Sequence, residues 1–174
     1  MLRRLCLLWL GTIATASLAL AASAAPRNVI LMIGDGMGPN QVISAQLTKV
    51  GDKGKLVMQT FPVHSNAITR SVLGDITDSA AAATALATGV KTTNGTLGLD
   101  KDGKRLHNLV EAAHAAGHAT GVVTTTQITN ATPAGFTSHV KNRSQEPEIA
   151  EQQLTCGVDV LTGGGLEFWV PKDH

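Results

Sequence analysis

The apolar positions of this chain fall into short, separated runs with two alternating rhythms. Val29-Ile30-Leu31-Met32-Ile33 is a continuous apolar run ending at Gly34-Asp35-Gly36-Met37-Gly38. A run of that length feeding a glycine-rich loop predicts a strand buried on both faces, the kind found in parallel sheets. Pro39 then opens a helix predicted over 40–49, with a modest apolar face from Val42, Ile43, Ala45 and Leu47. Residues 56–68, interrupted by Pro62, read as short extended pieces. Small side chains dominate 79–88, predicting a close-packing helix that Gly89 stops, and Thr92-Thr93-Asn94-Gly95-Thr96 follows as a turn. Leu106, Leu109, Val110, Ala113 and Ala116 recur at helical spacing up to Gly117. Residues 119–125, β-branched and apolar, predict a strand, and Asp159-Val160-Leu161 before Gly163-Gly164-Gly165 predicts another. Helices alternating with buried strands specify an α/β fold with right-handed crossovers, in which ligands gather at the carboxyl ends of strands. The Asp35 loop and residues 125–132 each follow a strand, so both are expected to open onto one edge.

The first 25 residues stand outside this pattern. Arg3 and Arg4 precede an apolar run over 5–20 and small residues at Ala22-Ser23-Ala24, which reads as a secretory signal peptide over 1–24 with Ala25 as the new terminus. The run is short for a membrane span, which disfavours an uncleaved anchor. The expected localisation is periplasmic or extracellular. Removing the signal takes two of the 14 basic residues and none of the 13 acidic ones, so the formal charge passes from +1 to −1. That balance argues against a nucleic-acid partner. Cys6 leaves with the signal, and Cys156 then has no intrachain cysteine to pair with. It reads as a buried small hydrophobe. With 43% hydrophobic but only 3% aromatic residues, aliphatic side chains must build the core, and the remaining stretch of about 150 residues is one domain's worth.

Candidate chemistry concentrates at Thr77-Asp78-Ser79-Ala80-Ala81-Ala82-Ala83-Thr84-Ala85. Ser79 falls in the first turn of its predicted helix, where unpaired N–H groups and the macrodipole favour an anion. No histidine stands near it in sequence to act as its base, so metal activation is the natural alternative. The plainer possibility is that Asp78 or Thr77 merely caps a core helix. Asp35 sits between glycines at a strand end, a place from which a carboxylate can hold a hard cation or simply close a tight turn. The spacing of Gly34, Gly36 and Gly38 is not that of the dinucleotide fingerprint.

Three segments in order, residues 28–38, residues 77–85 and Asn130-Ala131-Thr132-Pro133-Ala134, resemble the alkaline phosphatase family. The likeness continues through Thr88-Gly89-Val90-Lys91-Thr92-Thr93-Asn94-Gly95 and covers nearly all of 27–143. It implies an α/β three-layer sandwich with a mostly parallel central sheet, of which this chain would carry an incomplete, N-terminal part over 25–174. It also implies hydrolysis of phosphate monoesters with two zinc ions and a magnesium ion. By the same resemblance Ser79 is the nucleophile that carries a phosphoryl group, and Asp35 bridges zinc and magnesium. Asp78 positions the site, Thr132 is a hydroxyl ligand of magnesium, and Arg143 grips the substrate phosphate, a task suited to a planar guanidinium. Asn130 departs from the Asp or His common at its position. A neutral amide can bind only through its carbonyl, which leaves the third metal's identity open.

His114 and His118 have ligand-like spacing, but Gly117 between them ends the helix, and they are expected not to bind metal. His64 and His139 carry no ligand pattern, and residues 144–174 hold no convincing zinc set. The expectation is therefore an N-terminal portion of a longer enzyme, inactive by itself, with homodimerisation at full length left open. Two rival readings stand beside it: another member of the same superfamily, such as a phosphodiesterase or phosphomutase, and an exported phosphate-binding module without chemistry.

Overall fold

The computed structural model describes residues 28–170; the signal segment and its cleavage site lie outside the described residues. The chain divides into two compact units, one ending at Ile33 and the other running from Gly34 onward. Of the first, residues 28–33 are described, and the expected strand over 29–33 is absent: these residues are irregular and their side chains exposed, Ile30 at 86%. A strand exists only through ladder bonds to a neighbour, and residues 28–33 enter no ladder among the described residues.

The second unit is α/β, as the alternation of patterns requires. α1 (Pro39–Val50) begins with proline in its first turn and ends at Gly51, whose φ of 75° breaks the helix. It buries none of its residues, in keeping with its modest apolar face. The region expected to be extended around Pro62 instead contains a 3-10 turn, Val57–Thr60. The turn is closed by Gln59, whose side-chain oxygen accepts from Leu56 N–H at 2.7 Å. α2 (Ser79–Thr88) is capped by Asp78 and stopped by Gly89 at φ 74°. α3 (Leu109–Ala115) starts three residues later than the spacing suggested, because Asn108 and Glu111 close a reciprocal capping box there. β1 (Gly121–Gln127) and β2 (Val160–Gly164) pair in parallel, with Gly121 opposite Val160, Val122 opposite Leu161 and an irregularity before Gln127. β1 was expected to be buried; instead it alternates, with Val123 73% exposed and Val122 half-buried. α4 (Ala131–Ala134) and α5 (Glu146–Gln153) fill the crossover between the two strands.

Two apolar clusters hold these elements. Ala80 of α2 meets Ala131 and Ala134 of α4, Ile149 of α5, and Leu97 and Val140, which exchange backbone hydrogen bonds at 2.9 and 3.0 Å. Ala87, Val110 and Phe136 form the second cluster, with Val122 and Val158 against it. Alanine in α2 matters because it lets backbones meet. A Cβ on Gly135, just beyond α4, would stand 2.7 Å from Ala83 Cβ and 3.2 Å from Thr84 N. Thr84, fully buried, satisfies its hydroxyl by donating to Thr96 O at 3.1 Å and accepting from Gly98 N at 3.1 Å.

Candidate active site

The α2–α4 contact carries Ser79 and Thr132 to the same place. Asp35 reaches them from the loop before α1, where Met37 N–H donates to Gly34 O at 3.3 Å and Gly36 adopts a φ of 64°. One carboxylate oxygen of Asp35 accepts from Ser79 Oγ at 2.9 Å and the other from Thr132 Oγ1 at 3.0 Å. The start of α4, just after β1, and the Asp35 loop thus meet at one locality, although no strand precedes the Asp35 loop among the described residues. Asp35 is exposed, whereas Ser79 and Thr132 are half-buried.

Asp78 is the hub on the other side of Ser79. Oδ1 accepts from Ala81 N–H at 2.9 Å, which is the helix cap, while Oδ2 accepts from Gly95 N–H at 3.0 Å. Arg143 Nη1 lies 3.4 Å from that same Oδ2, and Arg143 Nη2 lies 3.5 Å from Asn130 Oδ1. Arg143 keeps a third of its side chain exposed. Asn130 stands at the N-cap of α4 but makes no capping bond with its side chain. The six residues singled out in the sequence therefore fall into two hydrogen-bonded sets, Asp35 with Ser79 and Thr132, and Arg143 with Asp78 and Asn130, which adjoin where Asp78 precedes Ser79 in the chain.

The donor chemistry decides which cation fits. Asp35 brings two anionic oxygens to two hydroxyls, an all-oxygen set suited to a hard ion such as magnesium, which Asp35 and Thr132 would hold. Towards zinc this locality offers the oxygens of Asp35 and Ser79. Among the described residues no three His, Cys, Asp or Glu side chains come together as a metal group. His114 lies in the last turn of α3, and His118 lies beyond that helix, after Gly117 at φ 77°. His64 is exposed. His139 turns to the protein: its Nε2 lies 2.9 Å from Leu106 O, and burial pushes its pKa below the usual histidine value. Cys156 is half-buried, not buried as expected, with Sγ 3.3 Å from Gln153 O.

Sequence reasoning assigned no role to Asn94, Gly95 or Glu146. Asn94 and Gly95 were legible only as a turn, yet Asn94 bonds the backbone on either side of Thr77. Glu146, at the start of α5, accepts from the buried Thr129 hydroxyl at 2.6 Å and so ties the Asn130 loop to the next helix.

The alkaline phosphatase family model matches residues 26–174. Over 156 residues the chain is 40% identical to the alkaline phosphatase of Schizosaccharomyces pombe, covering 84% of this chain and 29% of that one. It is also 40% identical over 167 residues to the streptomycin-6-phosphate phosphatase of Streptomyces griseus, covering 82% and 37%. The alkaline phosphatase of the Antarctic bacterium TAB5 superposes with a TM-score of 0.74 at 37% identity, covering 81% of this chain and 41% of that one. A mutant of that enzyme with Mg bound in its M3 site superposes at 0.69, again at 37% identity, covering 76% and 38%. The chain thus spans between 29% and 41% of the length of these relatives. On the family match and these identities, the chain belongs to the alkaline phosphatase family.

Proposed function

We propose that this protein is an exported, metal-dependent phosphomonoesterase that works through a phosphoserine intermediate, and that residues 25–174 contribute its nucleophile and phosphate-binding side. The observation that carries the reading is the convergence of Ser79 and Thr132 on the two oxygens of Asp35, beside Asp78 and Arg143. Bound zinc and magnesium would supply Lewis acidity and neutralise negative charge at the attacking and leaving oxygens. The chain's own residues do the rest. Asp35 fixes the Ser79 hydroxyl by accepting its proton in a hydrogen bond. The unpaired N–H groups at the start of α2 favour the phosphate's negative charge. Arg143, partly exposed and only loosely paired at 3.4 Å, can turn its guanidinium to two phosphate oxygens. Ser79 Oγ then loses its proton to solvent and bonds to phosphorus as the ester P–O bond breaks, the leaving alkoxide taking a proton from solvent to depart as the alcohol. Water later cleaves the phosphoserine, its hydroxyl staying on the released phosphate and its proton restoring the serine.

The zinc pair of this proposal needs ligands beyond those that the described residues bring together. Turnover is accordingly a property of the protein as its cell makes it, and the test uses that form. The isolated protein is incubated with radiolabelled monoester in the presence of zinc and magnesium, quenched in acid and digested. Label on the Ser79 peptide, lost in Ser79→Ala, is the expected result. Tight phosphate binding without label would favour the phosphate-binding module, and faster turnover of a diester than of a monoester would favour another superfamily member.

A further inference from the structure

The segment leading into the nucleophile helix has almost nothing to pack against. Residues 72–76 are exposed throughout, and Ile76 presents 89% of its surface to solvent. Apolar burial therefore cannot fix the direction in which residues 76–78 enter α2, although that direction sets where Ser79 stands. The Asn94 side chain supplies what packing does not. Its Oδ1 accepts from Asp78 N–H at 3.0 Å while its Nδ2 donates to Ile76 O at 2.9 Å. A single carboxamide thus pairs with the backbone on both sides of Thr77, as a neighbouring strand would. Asp78 is held extended, at φ −92° and ψ 175°, the conformation that its capping role requires.

The next residue extends the grip. Gly95, at φ 82°, donates its N–H to Asp78 Oδ2 at 3.0 Å and accepts from Arg143 N–H at 2.7 Å. One turn is therefore bonded to the backbone before Ser79, to the capping carboxylate beside it, and to the backbone of the phosphate-binding arginine. Resting on the phosphatase reading above, we propose that Asn94 is a positioning residue for phosphoryl transfer, aligning Ser79 by clamping residues 76–78. It touches neither substrate nor metal in this role. Arg143 is anchored separately through Gly95, so loss of the Asn94 amide misaligns the nucleophile more than it weakens phosphate binding.

The test has two arms on the protein as its cell makes it, comparing the parent with Asn94→Ala and Asn94→Asp. Hydrogen exchange reads the clamp directly. Asn94→Ala is expected to speed exchange at Asp78 N–H roughly three- to tenfold, the worth of one neutral hydrogen bond. Amides late in α2 should keep their protection, because Asn94 is itself exposed and buries no core contact. Asn94→Asp retains the Oδ1 acceptor but replaces the donor to Ile76 O with a second acceptor, and should restore only part of the protection at Asp78. Kinetics read the consequence: Asn94→Ala should lower kcat roughly ten- to hundredfold, a misplacement effect, with KM and phosphate inhibition within about twofold. Unchanged exchange at Asp78, or loss of protection along all of α2, would overturn the clamp. Altered exchange with unchanged kcat would overturn its role in phosphoryl transfer. A parent without turnover would sink the phosphatase reading and the catalytic meaning of Asn94 together, while the exchange comparison would still decide the clamp.

Discussion

Gly135→Ala tests whether the close approach of α4 to α2 assembles the site. Gly135 has an ordinary right-handed helical backbone, φ −61° and ψ −20°, so alanine brings no torsional strain there. Restricting the unfolded chain would by itself stabilise the variant by about 0.4–1 kcal/mol. Against this, the new methyl would stand 2.7 Å from Ala83 Cβ, 3.1 Å from Ala83 C and 3.2 Å from Thr84 N. Two of the three atoms are backbone within a helix and cannot rotate away, so overpacking should cost about 1–3 kcal/mol. Overpacking outweighs the entropic gain, and the expected net loss is roughly 1 kcal/mol. In urea this should lower the unfolding midpoint by roughly 0.5–1 M without changing the slope. Adding Ala83→Gly removes the shortest contact, and a double-mutant cycle should yield about 1 kcal/mol of coupling even though glycine inside α2 has its own cost. Thr132 lies one helical turn before Gly135, so the same displacement should loosen its 3.0 Å bond to Asp35. A midpoint that stays put or rises, or strict additivity with Ala83→Gly, would refute the close-approach account.

Arg143→Ala should weaken phosphate inhibition by roughly ten- to hundredfold, the worth of a charge-assisted hydrogen bond, while stability changes by less than about 1 kcal/mol because the guanidinium is partly exposed; equal inhibition constants would remove Arg143 from the site. Asn130→Asp should raise magnesium affinity by putting an anionic oxygen near Thr132 and Asp35, and superimposable reactivation curves after chelation would exclude Asn130 from the metal environment. His139 supplies a pH prediction. Burial lowers its pKa in the folded state, so both states are neutral above the unfolded value of about 6.5 and stability there is full. As pH falls through 6.5 the unfolded chain takes up the proton first, and the fold loses stability. Urea midpoints between about pH 7.5 and 5 should fall less steeply in His139→Gln than in the parent, and parallel profiles would exclude His139 as the source.

Legibility in the sequence followed the physical range of each interaction. α2 could be bounded from residues 78–89 because its cap, its alanine run and its terminal glycine are all local signals. α5 could not be foreseen: in Glu146–Gln153 only Ile149 and Ala150 are apolar and buried, so no periodic stripe announces it. The run over 29–33 carries a strong strand pattern, yet a strand is made by its neighbours, and here the pattern alone did not produce one. At the site, each motif displayed its residue types, but the sharing of Asp35 by Ser79 and Thr132 is a tertiary fact. Asn94 was least visible, since an Asn-Gly pair advertises a turn and conceals which backbone groups the amide will meet.

The hydrogen bonds that Asp35 makes to Ser79 and Thr132 span 44 and 97 residues of chain. Loop closure makes the longer span costlier by only about 0.7 kcal/mol, so thermodynamics barely separates the two contacts. Time separates them more sharply. At a synthesis rate of about 5–20 residues per second, Thr132 emerges roughly 5–20 s after Asp35. Once Ser79 has followed, 44 residues after Asp35, a nascent chain carries both the acidic loop and the serine for the roughly 3–10 s before the hydroxyl that completes their arrangement. The finished site therefore reports that the segment from β1 into α4 has folded, so the arrangement waits until Thr132 has been made.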